Sequence, residues 1–94
     1  MKSKLGFMMW AVKLDEKAAK FLKSLDKPSK QRIEAFINSL RDSSYPRTKG
    51  KGLQGRLSGY WRYRVGDYRL ICQIKDGELV ILIIEIGHRK DIYR

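Results

Sequence analysis

The 94-residue chain has one cysteine and one histidine, and its 10 acidic residues are outnumbered by 21 basic ones. A lone Cys72 excludes an intramolecular disulfide framework, and one thiol with one imidazole is too small a set for a cysteine-type zinc site. No apolar run approaches the ~20 residues that a membrane-spanning helix requires. The apolar segment near the N-terminus lacks a small-residue cleavage site, which argues against a secretory signal. We therefore expect a cytoplasmic protein that is not embedded in a membrane.

The excess of basic residues gives a formal net charge of +11 at pH 7. With 43% hydrophobic residues the chain is too apolar to be disordered, so this charge must lie on a folded scaffold. Nothing in the sequence divides that scaffold, and we predict one domain over residues 9–94, preceded by an N-terminal extension of residues 1–8. Such a charge predicts a polyanionic partner, either nucleic acid or an acidic protein.

Hydrophobic periodicity predicts an α+β fold with the element order β-α-α-β-β-β. Apolar residues at helical spacing indicate two amphipathic helices in a hairpin, with Asp15 capping the first and Pro28 in the first turn of the second. Alternating or continuous apolar runs predict strands at residues 9–14, 60–65, 68–75 and 78–86. The helices should pack on one face of a mostly antiparallel sheet. The basic, glycine-rich segment 47–56 is predicted to be a mobile loop.

Two-residue turns at Gly66-Asp67 and Asp76-Gly77 are predicted to join the last three strands as hairpins. The first of these turns places Arg64 directly opposite Arg69 and puts Arg62 on the same face of the sheet. The opposite face collects the residues against which the helices should pack, namely Trp61, Tyr63, Val65, Tyr68, Leu70, Cys72 and Ile74.

Arginines on neighbouring strands need an explanation, because like charges directly opposite in an antiparallel pair cost a few tenths to ~1 kcal/mol. One interpretation is that they extend into solvent or reach the carboxylates of Asp67 and Glu85. The other is an anion site, in which guanidinium groups from adjacent strands converge on a phosphate. Basic residues of the loop and of the segment after the last strand favour this second interpretation: Lys49, Lys51, Arg56, Arg89 and Lys90.

The single histidine, His88, has two interpretations as well. A lone histidine is typical of a surface or capping position. Its place beside Arg89 and shortly before Tyr93 also leaves open a part in proton transfer or base stacking.

Three segments of the sequence together resemble a known family. They are Leu53-Gln54-Gly55, then Trp61-Arg62-Tyr63-Arg64-Val65-Gly66-Asp67-Tyr68-Arg69-Leu70, and finally Gly87-His88-Arg89-Lys90-Asp91-Ile92-Tyr93. In combination they are similar to the RelE/ParE superfamily of bacterial toxins, and specifically to its RelE branch. The resemblance extends over nearly the whole chain.

The resemblance implies a toxin of a type II toxin–antitoxin system that cuts messenger RNA in the ribosomal A site. RelE-type cleavage uses no metal and no cofactor, since the ribose 2′-OH attacks the adjacent phosphorus and leaves a 2′,3′-cyclic phosphate and a 5′-OH. The resemblance further implies a cognate antitoxin, acidic and partly disordered, that wraps the toxin. Operator DNA would be bound only by the complex with that antitoxin.

The resemblance also assigns site residues. Arg62 and Arg64 match the two basic strand positions of the family's site, Arg69 the arginine after the strand turn, Arg89 the arginine after the last strand, and Tyr93 the tyrosine near the end. The mRNA would stack a base on Tyr93, while the RNA backbone would be held by Lys49, Lys51, Arg56 and Lys90.

The sequence departs from some family members that have lysine where this chain has Arg62 and Arg64. Arginine effectively cannot lose its proton, so the general base would have to be Tyr93, His88, a water molecule or an rRNA group. Arg89 would then assist the leaving 5′-oxygen. Two alternatives stay open: a ParE-type toxin that inhibits DNA gyrase without nuclease activity, and a catalytically inactive RNA-binding relative.

Overall fold

The computed structural model describes residues 9–88, and residues 1–8 and 89–94 lie outside the described part. Its helices are α1 (Glu16–Ser24) and α2 (Lys27–Arg41), and its strands are β1 (Ala11–Leu14), β2 (Lys51–Gly52), β3 (Trp61–Val65), β4 (Tyr68–Lys75) and β5 (Val80–His88). Short 3-10 turns lie at Pro46–Lys49, Gly55–Leu57 and Asp76–Glu78.

Both helices begin at an aspartate that caps free backbone N–H groups. The carboxylate of Asp15 accepts a hydrogen bond from the backbone N–H of Ala18 at 2.9 Å, and that of Asp26 accepts one from Ser29 at 3.2 Å. Pro28 lies in the first turn of α2, where its missing N–H costs nothing. The predicted helical hairpin and its caps are confirmed.

The strands form one five-stranded sheet in the order β1-β5-β4-β3-β2. Among the described strands, β1 and β5 run parallel and the other neighbours are antiparallel. The largely apolar strand β5 therefore lies in the interior of the sheet, as expected of a strand that is apolar on both faces. This architecture confirms the predicted α+β class.

The helices cover one face of the sheet and bury the core there. Residues of both helices and of β1, β3, β4 and β5 meet in this core, and its members below 2% exposure include Ala18, Ile33, Leu40, Tyr63, Leu70, Cys72, Ile81 and Ile83. Burial also raises the pKa of the Cys72 thiol, so this cysteine is a protonated core residue at neutral pH. None of the helices in the described part is long and apolar enough to span a membrane.

The register of the β3–β4 hairpin is the predicted one, with Arg64 opposite Arg69 and Arg62 opposite Ile71. An irregularity at Ile71/Cys72 leaves one extra residue in β5 between the partners Ile83 and Glu85. Such a bulge changes the alternation of side chains, so β5 returns to the core at Ile86, which is 4% exposed.

Two sequence-based expectations are wrong. The β4–β5 connection is not a two-residue hairpin: Lys75 pairs with Val80, and four residues form the turn between them. The turn ends at Leu79, whose left-handed φ of 54° takes the place that glycine usually fills. The segment 47–56 is not simply a loop either, since it contains β2, paired with the edge of β3.

The segment from Pro46 to Gly52 lies so close to β3 that only glycine fits at one position. A Cβ on Gly50 would lie 2.3 Å from the carbonyl oxygen of Arg62 and 2.8 Å from Cδ1 of Tyr63. Both neighbours belong to the sheet and cannot move away easily.

We expect Gly50→Ala to destabilise the protein by about 1–3 kcal/mol, because the methyl group forces the edge segment away from β3. Gly77→Ala is the matched control: a Cβ there would meet no atom within 4 Å, and the change should stay within about 0.5 kcal/mol of wild type. Urea denaturation followed by circular dichroism measures both. Equal stability of the two variants would contradict the close packing of this segment.

Candidate functional site

An open cavity of about 310 Å³ lies where the segment 48–51 runs beside β3. Its lining is mostly cationic and consists of Thr48, Lys49, Gly50, Lys51, Arg62 and Arg64. The structure thus brings together four of the predicted site residues on one surface, the two lysines from the edge segment and the two arginines from β3.

Like charges face one another on both sides of β3. Lys51 of β2 pairs with Arg62, and Arg64 pairs with Arg69 of β4. Each such pair costs up to ~1 kcal/mol relative to neutral residues. The sheet therefore holds a row of cations that its own stability does not require.

The two arginines of β3 have no carboxylate partner in the part of the chain that the structure describes. Glu85 lies on β5, two strands away from β3, and forms an ion pair with Lys17 of α1 at 3.7 Å. Within residues 9–88, neither Arg62 nor Arg64 has an aspartate or glutamate within ion-pair distance. Arg64 is exposed and reaches neither Asp67 nor Glu85, so of the two arrangements in the first interpretation only extension into solvent applies to it.

The three sheet arginines differ in burial. Arg64 is exposed, Arg62 is half-buried, and Arg69 is only 8% exposed. The Nε of Arg62 is buried and has no hydrogen-bond partner among the described residues. A half-buried guanidinium without a protein acceptor is well suited to bind an anion, because charge-assisted hydrogen bonds strengthen where water is excluded.

The segment that carries the lysines is fixed at several points. The guanidinium of Arg47 donates to both carboxylate oxygens of Asp76, at 2.7 and 2.9 Å, and lies 5.5 Å from the ring centroid of Trp61. The indole N–H of Trp61 donates to the carbonyl of Arg47 at 3.1 Å. The buried hydroxyl of Tyr63 donates to the carbonyl of Pro46 at 2.9 Å, and burial raises the pKa of this phenol. Contacts with β3 and with the β4–β5 turn therefore hold the beginning of this basic segment.

His88 lies apart from the cavity. It pairs with Tyr68 across β4 and β5, and the two rings meet edge to face with centroids 5.8 Å apart. Tyr68 in turn contacts Phe21 of α1, so both rings lie on the helix side of the sheet. This position argues against His88 as the general base at the arginine cluster.

Of the other predicted site residues, Arg56 and Arg69 are not part of the cavity wall. Arg56 is exposed in the turn Gly55–Leu57. Arg69 lies one strand further into the sheet, and Arg89, Lys90 and Tyr93 lie outside the described residues.

Sequence reasoning missed Thr48 and the role of Gly50. The hydroxyl of Thr48 donates to the carbonyl of Tyr45 at 2.8 Å, which tightens the turn before Lys49. Nothing in the local sequence separates this threonine from an ordinary loop residue. Among residues 9–88, no three histidine, cysteine, aspartate or glutamate side chains lie together as metal ligands.

The small α+β fold agrees with comparisons to known proteins. The family described as ParE toxin of the type II toxin–antitoxin system parDE matches residues 12–93. These features define the protein as a toxin of the type II toxin–antitoxin class. The chain belongs to this ParE toxin family and, through it, to the RelE/ParE superfamily that the sequence resembles.

Individual relatives agree with this assignment. Toxin RelG of Mycobacterium tuberculosis is 40% identical over 52 residues, which are 55% of this chain and 60% of RelG. A chain of the archaeal RelE–RelB complex from Pyrococcus horikoshii OT3 is 31% identical with a TM-score of 0.71, over 89% of this chain and 99% of that one. The RelB–RelE antitoxin–toxin complex from Methanococcus jannaschii gives 28% identity and a TM-score of 0.68, over 86% and 94% of the respective chains.

The facing arginines generate a prediction about stability. We expect Arg64→Ala to leave the fold intact and to stabilise it by a few tenths to about 1 kcal/mol at low salt, because the repulsion from Arg69 is removed. The gain should shrink at high salt, where the charges are screened. Urea denaturation at the two ionic strengths measures it; a variant clearly less stable than wild type at low salt would refute the repulsion.

Proposed function

We propose that the protein is a ribosome-dependent endoribonuclease that cleaves messenger RNA in the ribosomal A site. The observation that carries the proposal is the convergence of Lys49, Lys51, Arg62 and Arg64 on one open cavity. A single phosphodiester with its flanking riboses is a suitable occupant of such a cavity. The resemblance to RelE-type toxins supplies the reaction.

In the proposed reaction the ribose 2′-oxygen attacks the adjacent phosphorus, and the bond from phosphorus to the 5′-oxygen breaks. The 2′-hydroxyl proton passes to a base, and the leaving 5′-oxygen gains a proton. The products are a 2′,3′-cyclic phosphate and a 5′-hydroxyl, so the step balances without an added co-reactant. Negative charge grows on the phosphoryl oxygens, and fixed guanidinium groups stabilise it where it develops.

Arg62 and Arg64 contribute charge and hydrogen bonds in this scheme and not proton transfer, since arginine keeps its proton. Arg62 would bind the phosphate through the Nη groups of a guanidinium whose Nε is already buried. Lys49 and Lys51, which line the same cavity, would bind the neighbouring RNA backbone. The base and acid would then come from Tyr93, a water molecule or an rRNA group, and the positive charge of Arg89 would assist the leaving 5′-oxygen.

We further propose that a cognate antitoxin neutralises the toxin. The archaeal relatives were solved as complexes of RelE with RelB. A net charge of +11 suits an acidic partner, partly disordered when free, that folds on the toxin surface. Such a toxin would act in the cytoplasm, where it meets translating ribosomes.

A second candidate function has one observation in its favour. The matching family is described by its ParE toxin, and the ParE branch of the superfamily inhibits DNA gyrase without cutting RNA. The cationic cavity favours the nuclease, because gyrase inhibition by protein binding does not need a cavity lined by lysines and arginines.

We expect Arg62→Ala to lower mRNA cleavage by about 100-fold or more, the usual effect of removing one donor from a charge-stabilising site. Lys23→Ala on the exposed face of α1 is the matched control, with the same loss of one positive charge, and should keep nearly full activity. Primer extension on an mRNA translated by purified ribosomes measures both.

Assays of the wild-type protein distinguish the two functions. Cleavage within codons by the wild type supports the nuclease. Absence of cleavage together with inhibition of gyrase supercoiling would support the ParE-type function, and cleavage that survives Arg62→Ala would contradict the proposed site.

A further inference from the structure

We propose that Asp76, in the turn between β4 and β5, is a positioning residue: through Arg47 it holds the lysine-bearing segment against β3 and so completes the RNA site. This inference rests on the proposed binding of RNA in the cavity. Asp76 itself does not line the cavity. The sequence around it indicates only that it belongs to a turn.

The cavity needs such a contact because the two segments that line it carry like charges. Lys49 and Lys51 come from the edge segment and Arg62 and Arg64 from β3, and Lys51 is the strand partner of Arg62. A segment that carries only positive charge would move away from β3 unless other contacts held it. The strand pairing of β2 covers two residues and is too short to do this alone.

Arg47 supplies the attraction. Its guanidinium binds Asp76 with two parallel hydrogen bonds, although the two residues are 29 positions apart. This hydrogen bond holds the pKa of Asp76 below its usual range, so the carboxylate stays charged near neutral pH. A bidentate arginine–carboxylate pair fixes orientation as well as distance.

The backbone of Arg47 is fixed independently of its side chain. Its carbonyl accepts from the indole of Trp61 and from the N–H of Gly50, at 3.1 and 3.2 Å. The side chain and the main chain of one residue are thus tied to β3 and to the β4–β5 turn. Thr48 and Lys49 lie between Arg47 and Gly50, and both line the cavity.

A general electrostatic role and a positioning role of Asp76 predict opposite effects on RNA binding when its charge is removed. Removing a negative charge from a protein that binds a polyanion should strengthen binding if only the overall field matters. If Asp76 orients the lysines, its loss should weaken binding. The sign of the effect therefore separates positioning from general electrostatics.

The test compares Asp76→Asn, which keeps the shape and removes the charge, with Asp76→Glu, which keeps the charge. Glu78→Gln is the matched control, since Glu78 lies exposed in the same turn and makes no ion pair among the described residues. Fluorescence anisotropy measures binding of a short labelled single-stranded RNA. Hydrogen exchange measures the backbone amides of Thr48 and Gly50.

We expect Asp76→Asn to bind the RNA about three- to fivefold more weakly, with faster exchange at Thr48 and Gly50, because an ordered surface ion pair contributes about that much. Asp76→Glu should retain most of the affinity, and Glu78→Gln should bind as tightly as wild type or more tightly. The unfolding midpoint should fall slightly in Asp76→Asn, as expected when an exposed ion pair is lost, and stay near that of wild type in the other two variants.

Equal or tighter RNA binding by Asp76→Asn would overturn the inference, as would unchanged exchange at both amides or a wild type that does not bind the RNA at all. Failure of the proposed function looks different. A wild type that binds RNA in this Asp76-dependent way, yet cuts no mRNA on ribosomes, would overturn the nuclease and leave the positioning role in place.

Discussion

Repulsion between like charges on both sides of β3 is the constraint on which the rest of the structure depends. Lys51 faces Arg62 and Arg64 faces Arg69, so the strand that carries two site arginines is destabilised by each neighbour. In a protein of this size the margin of stability is small. The fold must hold these cations together by contacts made elsewhere.

Those contacts lie on the other face of the same strands. Tyr63, between the two arginines in sequence, is fully buried against α2, and its ring packs on Phe36 with centroids 5.4 Å apart. Its partner Leu70 is equally buried. Successive side chains of a strand point to opposite faces of the sheet. Burial of Tyr63 in the core therefore directs its neighbours Arg62 and Arg64 to the opposite face. Packing on the apolar face of the sheet contributes the stability that offsets the repulsion among the cations on the other face.

The sequence predicts the features that are determined by residues close together in the chain. The Gly66-Asp67 turn determined the register and hence the facing arginines, because glycine at a positive φ of 59° selects a tight hairpin. The similar Asp76-Gly77 pair misled, since Leu79 takes the left-handed position and lengthens the turn. The edge segment could not be predicted either: it is ordered by Arg47 and Asp76, and a contact between residues 29 positions apart leaves no periodic signal.

The central claim is that Arg62 and Arg64 act as one anion site. Nuclear magnetic resonance of the arginine guanidinium groups during titration with inorganic phosphate, at constant ionic strength, tests it most directly. The structure predicts that the Arg62 and Arg64 signals shift together along one binding curve, while the signal of Arg32 on the exposed face of α2 follows only the weak, general response. Independent curves, or an Arg32 response equal to theirs, would contradict the claim.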